Sequence, residues 1–179
     1  MKFLNEYYED VIKSIQNLDK DKINSICELI KNTSDNRGTV YIAGNGGSAS
    51  TASHISTDLT KNAKVKAMTF NDANLITCFS NDYGYENWVS EALNFYADKK
   101  DLVVCISSSG KSLNILNGAK KAKKMGCRVI TFSGFNKNNP LRKLGHLNFW
   151  INSKSYNIVE MVHHIWLLSA VDNISKAKF

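Results

Sequence analysis

The chain has 179 residues, the length of one domain, and it is long enough to bury a hydrophobic core without disulfides or metals. Its composition, 43% apolar and 22% charged, is typical of soluble globular proteins and includes no apolar run that could span a membrane. The net charge of +7 suits an anionic ligand. No aromatic residues alternate with the densest lysine run (120–124), so neither a nucleic acid nor a membrane is expected as a partner.

Strands and helices alternate along the sequence, which predicts an α/β fold with a parallel sheet. Apolar residues at helical spacing open the chain, and the continuous apolar run at 101–109 is typical of a strand buried on both faces. Helices are predicted at 3–33, 48–61, 84–97, 113–125 and 157–175, and strands at 39–45, 65–70, 101–109, 127–134 and 146–152.

Two features predict a cytoplasmic protein. The N-terminal segment carries acidic residues where a signal peptide would be apolar. The cysteines show no CxxC spacing and lie in apolar contexts, so we expect them to be reduced and buried in the core. They are Cys27, Cys78, Cys105 and Cys127.

A glycine turn at 44–48 follows the first predicted strand. Its glycines allow a ligand to approach the backbone, and Ser48 is predicted to cap the next helix, whose free N–H groups favour an anion. Three interpretations compete here: a plain strand-to-helix turn, a dinucleotide site and a sugar-phosphate site. The dinucleotide site is disfavoured because the next strand does not end in the required acidic residue; Asp72 lies two residues beyond it.

A serine turn at 107–112 follows the long buried strand and is the second candidate site. Its four hydroxyls and backbone N–H groups suit the oxygens of a phosphate monoester. The Gly-Lys-Ser ending is typical of a nucleotide P-loop, but that motif needs a glycine where the chain has Cys105, so ATP or GTP binding is excluded. The alternative is a serine-rich loop that only caps a helix.

The segments GNGGSASTASHISTDL (44–59), SNDYGYEN (80–87) and CISSSGKSLNILNGAKKAKKMGCRVITFSG (105–134) together resemble the phosphoheptose isomerases of the sugar isomerase (SIS) domain family. The resemblance extends over most of the chain. It implies a single SIS domain at 1–179, a three-layer αβα sandwich with a five-stranded parallel sheet. It also implies an N-terminal helix (1–35) used in oligomerisation, a homotetramer, and ketose–aldose isomerisation of a phosphorylated sugar, often with zinc.

The resemblance also assigns roles to residues of the two turns. The phosphate would be held by Ser107, Ser108, Ser109 and Ser112. The sugar would be bound at the glycine turn by Asn45, Gly46, Gly47 and Ser48. Asp82 would bind a sugar hydroxyl or a neighbouring subunit.

The catalytic positions match the family only in part. On the helix after the glycine turn, the family's His and Glu correspond to His54 and Asp58, which the i, i+4 spacing places on one helix face. In the last helix, the family's glutamine corresponds to Val159 and its catalytic histidine to Leu167 or Leu168, so direct transfer fails there. Asp58 is also one methylene shorter than glutamate, and such a displacement can reduce a rate strongly.

A local substitute is a polar cluster in the last helix. Glu160 lies one helical turn before His163 and His164, and buried polar groups of this kind need partners. We therefore hypothesise that His54, Asp58, Glu160 and His164 converge on zinc or on the substrate. The alternative is that Glu160 pairs with a histidine or a lysine at a subunit interface.

The sequence thus predicts an isomerase in which Asp58 is the base and His164, or else His163, the acid, with Glu160 as a further catalytic group. The default substrate is sedoheptulose 7-phosphate, which would feed heptose synthesis for a surface polysaccharide. Three alternatives remain: a non-catalytic SIS protein that binds a protein partner such as a replication initiator, an isomerase of another sugar phosphate, and a phosphosugar-sensing regulator. The regulator usually needs a fused DNA-binding domain, for which this chain has no room.

Overall fold

Short apolar segments separated by turns form five strands, and the amphipathic segments between them form the covering helices. A computed structural model describes residues 1–176. The helices are α1 (Lys2–Gln16), α2 (Lys20–Asp35), α3 (Gly47–Lys61), α4 (Ala73–Tyr83), α5 (Trp88–Tyr96), α6 (Leu113–Lys124) and α7 (Tyr156–Ser175). The strands are β1 (Val40–Ala43), β2 (Ala67–Thr69), β3 (Leu102–Ser107), β4 (Arg128–Ser133) and β5 (Leu147–Trp150), and a short 3-10 helix spans Leu141–Lys143.

The strands form one parallel sheet in the order β2-β1-β3-β4-β5. Alternate residues of β1 and β3 point to two separate apolar clusters, one on each face of the sheet. Helices α2, α3 and α7 contribute to the first cluster, and α5 and α6 to the second. The predicted three-layer αβα sandwich with five parallel strands is therefore confirmed.

The single N-terminal helix predicted over 3–33 is wrong, because two helices occupy this part of the chain. The break lies at Asp19, whose carboxylate accepts the backbone N–H of Asp21 at 3.0 Å and so begins α2. Apolar spacing continues across the break, so periodicity alone does not reveal it. Helix α4 was not predicted either, although Asp72 caps its start and Gly84, with φ +84°, ends it.

Helix α1 packs against the rest of the protein with one face, and its opposite face exposes apolar side chains. Its carbonyl at Ile15 accepts the indole N–H of Trp166 from α7 at 3.4 Å. Large exposed side chains on its outer side are Phe3, Leu4, Tyr8 and Ile12. The use of this segment in oligomerisation stays a prediction.

The cysteine prediction holds for three of the four residues. All four thiols are free; Cys27, Cys105 and Cys127 are buried, but Cys78 is exposed on α4, so its predicted core position is wrong. Within residues 1–176, none of the helices combines the length and apolar character that a membrane-spanning helix needs.

We predict that Asp101→Asn destabilises the fold by about 1–3 kcal/mol. The Asp101 side chain is buried, and its two oxygens accept the backbone N–H groups of Thr39 at 2.8 Å and Asp98 at 2.7 Å. An amide would turn a donor towards one of these donors. Urea denaturation measures the loss, with the exposed Asp10→Asn as the control that should change little; equal stabilities of the two variants would contradict the prediction.

Candidate active site

The glycine and serine turns meet at one edge of the sheet. Strands β1 and β3 are parallel neighbours, with Ala43 opposite Cys105, so both turns leave the sheet at its carboxyl edge. This is the edge at which parallel α/β folds bind ligands. The N-cap of α3 is Gly46, with φ +55°, so the predicted capping role of Ser48 is wrong. Ser48 instead lies buried in the first turn of the helix.

A cavity of about 100 Å³ lies between the two turns. It is lined by Asn45, Ser48, Ile106, Ser107, Ser108, Ser109, Ser112, Tyr156 and Glu160. All four serines predicted to hold phosphate therefore share one cavity, and Asn45 and Ser48 share it with them. A small polar cavity of this kind suits the phosphate end of a sugar phosphate, with the rest of the sugar outside it.

The serine hydroxyls in this cavity are incompletely bonded within the protein. The hydroxyls of Ser107 and Ser112 lie 3.0 Å apart and bond to each other. The Ser108 hydroxyl is buried and has no hydrogen-bond partner in the described part of the chain. A buried hydroxyl without a partner is unfavourable, and a phosphate oxygen would supply the missing partner.

Glu160 reaches this cavity from α7. A Cβ atom at position 47 would collide with its carboxylate, so glycine at 47 makes room for the side chain. Burial raises the pKa of the Glu160 carboxyl above its ordinary value, and the nearby Ser108 hydroxyl partly opposes the shift. The two glycines therefore act through the backbone: Gly46 adopts the positive φ at the start of α3, and Gly47 makes room for Glu160.

The second part of the site is a line of polar side chains between α3 and α7. His54 Nδ1 lies 2.8 Å from His164 Nε2, His54 Nε2 lies 3.3 Å from Asp58 Oδ2, and Thr51 Oγ1 lies 3.3 Å from His164 Nδ1. Because an ionised carboxylate only accepts hydrogen bonds, His54 Nε2 carries the proton when the histidines are neutral. His54 Nδ1 then accepts from His164 Nε2–H, and His164 Nδ1 accepts from the Thr51 hydroxyl.

The position of His164 disfavours its protonation. Burial lowers the pKa of His164 below its ordinary value, the neighbouring His54 lowers it further, and Asp58 partly opposes the shift. His164 therefore gives up a proton more readily than a free histidine does.

His163 lies outside the site, so its alternative role as the acid is wrong. It is fully buried, with Nε2 3.2 Å from the Ser133 carbonyl oxygen and its ring against Phe132. Burial lowers the pKa of His163 to about 3. A neutral, enclosed imidazole of this kind packs the core and cannot reach a substrate.

The four residues predicted to converge are separated into two places. His54, Asp58 and His164 form the line between the helices, whereas Glu160 lies in the serine cavity. Among residues 1–176, no group of three or more His, Cys, Asp and Glu side chains is arranged to hold a metal ion. Both ring nitrogens of His54 already face protein partners, so the predicted four-ligand zinc set is not assembled in this arrangement.

Asp82 lies apart from the cavity-lining residues. It is exposed on α4, and its carboxylate accepts hydrogen bonds from the Asn81 amide at 2.9 Å and the Cys78 thiol at 3.7 Å. Its role towards a sugar or a neighbouring subunit stays a prediction.

Sequence reasoning missed Thr51, Tyr156 and Asn114. Thr51 is buried beside His164, and Tyr156 lines the cavity from the start of α7. Asn114, buried on α6, pairs its amide with that of Asn45. The position of Thr51 three residues before His54 was a usable signal, since both lie on one helix face; the other two contacts join distant segments.

The SIS domain family model matches residues 4–134 of the chain. A probable phosphoheptose isomerase of Thermoplasma volcanium is 31% identical over 167 residues, which cover 89% of this chain and 84% of that protein. A phosphoheptose isomerase of Helicobacter pylori is 33% identical over 132 residues, with 70% and 68% covered. The solved phosphoheptose isomerase structure from Neisseria gonorrhoeae superposes with a TM-score of 0.88 at 23% identity, with 97% of this chain and 98% of that chain covered.

We predict that Ser108→Ala weakens the binding of inorganic phosphate without lowering the stability of the ligand-free protein. The reason is that the Ser108 hydroxyl forms no well-aligned hydrogen bond with the described residues and has only the Glu160 carboxyl near it, so its removal costs the ligand-free protein little. Ser133→Ala is the matched control, because its buried hydroxyl accepts the Asn139 amide at 3.0 Å outside the cavity. It should lower stability by about 1 kcal/mol and leave phosphate binding unchanged.

Thermal denaturation of both variants with and without phosphate measures the two effects together, since a ligand that binds only the native state stabilises it more at higher affinity. Unchanged phosphate stabilisation in Ser108→Ala would contradict the assignment of this cavity.

Proposed function

The chain belongs to the phosphoheptose isomerases of the SIS domain family, and we propose that it interconverts sedoheptulose 7-phosphate and an aldoheptose 7-phosphate. The observation that carries this proposal is the arrangement of one phosphate-sized cavity next to a line of proton-transferring side chains. We place the reaction in the cytoplasm, in heptose synthesis for a surface polysaccharide, and expect a homotetramer.

The serine cavity would hold the phosphate end of the substrate. It offers hydroxyl groups and the N-terminal ends of α3 and α6, whose free N–H groups and dipoles favour an anion. Among residues 1–176, no lysine or arginine lines it, so neutral donors would supply most of the recognition. Binding energy from this end of the substrate positions the reacting carbons at the other end.

The sugar chain would extend along the contact between α3 and α7. On α7, Glu160 lies at the cavity and His164 one helical turn further, roughly 6 Å along the axis. A sugar anchored by its terminal phosphate would then bring its carbonyl end towards His164 and His54. This spacing favours a substrate with several carbons between phosphate and carbonyl.

Conversion of a ketose to an aldose moves one proton from C1 to C2 through an enediol. In the proposal, Asp58 accepts the C1 proton, exchanges it with water while the enediol is bound, and delivers a solvent-derived proton to C2. In the ligand-free protein the His164 Nε2–H is donated to His54 Nδ1, so the substrate has to take the place of this contact. His164 then donates that proton to the carbonyl oxygen at C2 and recovers one from the hydroxyl at C1 as the new carbonyl forms. His54 Nε2–H stays bonded to the Asp58 carboxylate and holds it in place.

Glu160 has a distinct task in the proposal. Its carboxyl has a raised pKa and lies at the boundary between the phosphate cavity and the histidines. In its neutral form it donates a hydrogen bond to the substrate without repelling the phosphate. The ionised form would oppose phosphate binding by charge repulsion.

One observation favours a second candidate function, a non-catalytic SIS protein that binds a protein partner. Val159 occupies the place where the family resemblance expects a glutamine, and Leu167 or Leu168 the place where it expects a histidine. Val159 and Leu167 are buried in the core, and Leu168 packs against it. They cannot take part in the site, so any catalysis must use His164 in their place. A turnover measurement separates the two functions.

Proton NMR of sedoheptulose 7-phosphate in heavy water tests the isomerase directly. The wild-type protein should form aldoheptose 7-phosphate with solvent deuterium at C2, and Asp58→Asn should reduce this rate by at least about 100-fold, the contribution of a general base. Asp172→Asn on α7, away from the residues that line the cavity, is the control and should retain activity.

Turnover that survives in Asp58→Asn would move the base to Glu160 or a histidine. Binding of the phosphosugar without conversion by the wild-type protein would contradict the isomerase and favour the binding function.

Zinc remains a separate prediction, and no step above passes through a metal. If zinc binds, metal analysis of protein purified with added zinc should find one ion per chain, and His54→Ala should lose it. Equal zinc content in both proteins would contradict the predicted ligand.

A further inference from the structure

The cavity residue Asn45 is fixed by a buried partner from the other turn. Asn45 Nδ2 donates to Asn114 Oδ1 at 3.0 Å, and Asn114 Nδ2 donates back to Asn45 Oδ1 at 2.8 Å. Only 2% of Asn114 is exposed. The two amides therefore form a closed pair that joins the start of α6 to the glycine turn, 69 residues earlier in the chain.

A third contact determines which atom of Asn45 is available to a ligand. The Tyr85 hydroxyl donates to Asn45 Oδ1 at 3.3 Å, so this oxygen already accepts two hydrogen bonds and has no lone pair left. The Nδ2 group has two hydrogens, of which Asn114 takes one. The second N–H is what Asn45 can offer in the cavity.

We infer that Asn114 is a positioning residue that holds the Asn45 amide with a donor, and not an acceptor, towards the substrate. The site then selects an acceptor oxygen at this point: a phosphate ester oxygen or an oxygen of the adjoining sugar. This inference rests on the proposed function and deepens it, because it names the chemistry by which the glycine turn recognises the phosphosugar.

The pair also explains why an amide is needed at position 114. A buried amide without partners would destabilise the fold, and any apolar residue there would leave Asn45 free to rotate. Rotation by half a turn about its last bond would present the carbonyl oxygen to the ligand. An acceptor that faces a phosphate oxygen repels it, so orientation decides between attraction and repulsion.

Helix α6 supplies a matched control for Asn114. One turn later, Asn117 donates its amide to the Glu86 carbonyl at 3.0 Å and to Asn87 Oδ1 at 3.2 Å. It thus joins the same helix to a neighbouring segment but does not line the cavity. Asn117→Ala removes comparable hydrogen bonds without touching Asn45.

The test is a double-mutant cycle for conversion of sedoheptulose 7-phosphate, with kcat and KM measured separately. Asn114→Ala should lower kcat/KM about tenfold, the rate equivalent of one neutral hydrogen bond, and Asn117→Ala should leave it unchanged. In an Asn45→Ala background, Asn114→Ala should have no further effect, because it acts only through Asn45. Additive losses in the double variant would overturn the inference.

Tyr85→Phe provides a variant whose folding is not at risk, since Tyr85 is exposed. It removes one of the two hydrogen bonds that hold Asn45 Oδ1. We expect a smaller loss of kcat/KM than in Asn114→Ala, and again none in the Asn45→Ala background. An equal loss with and without Asn45 would overturn the role of this contact.

A readout independent of turnover separates this inference from the proposed function. In ¹⁵N–¹H spectra of the ligand-free protein, the Asn45 side-chain hydrogen that is bonded to Asn114 should exchange slowly with water in the wild type and rapidly in Asn114→Ala. If the wild type fails to convert the sugar, the proposed function fails while this result still stands. Fast exchange in the wild type would overturn the positioning role whatever the activity.

Discussion

The parallel pairing of β1 with β3 is the constraint on which the rest of the site depends. These strands are about sixty residues apart in the chain but neighbours in the sheet, with Ala43 opposite Cys105. Their register brings the glycine and serine turns to one edge, where the helices α3 and α6 begin. The buried amide pair of Asn45 and Asn114 then joins the two turns directly. We therefore propose that phosphate is recognised at this junction and not by either turn alone.

The two parts of the candidate site lie at different points along the contact between α3 and α7. At one end of this contact, Gly47 of α3 faces Glu160 of α7 beside the serine cavity. Further along the two helices lie the pair of His54 and His164 and then Asp58. In the proposed function, substrate anchoring and proton transfer are therefore separated along one helix–helix contact. Because neighbouring helical turns are fixed in spacing, the contact also limits which sugars can place their carbonyl end correctly.

The sequence was most informative where a local pattern is compatible with only one kind of structure. The continuous apolar run that became β3 is such a case, and it was predicted correctly. The serines after it line one cavity, as their grouping suggested, and their role towards phosphate stays a prediction. The break at Asp19 was missed because apolar spacing continues through it, while the capping contact involves one side chain. The roles of His163 and His164 could not be separated, since adjacent helical residues differ in direction by 100° and only packing shows which one faces the core.

A structure of Asp58→Asn with sedoheptulose 7-phosphate bound tests the central claim most directly. The account predicts the phosphate among Ser107, Ser108 and Ser112, and C1 and C2 beside His164, with the sugar along the contact between α3 and α7. A phosphate bound elsewhere, or a sugar whose carbonyl end points away from His164, would contradict it.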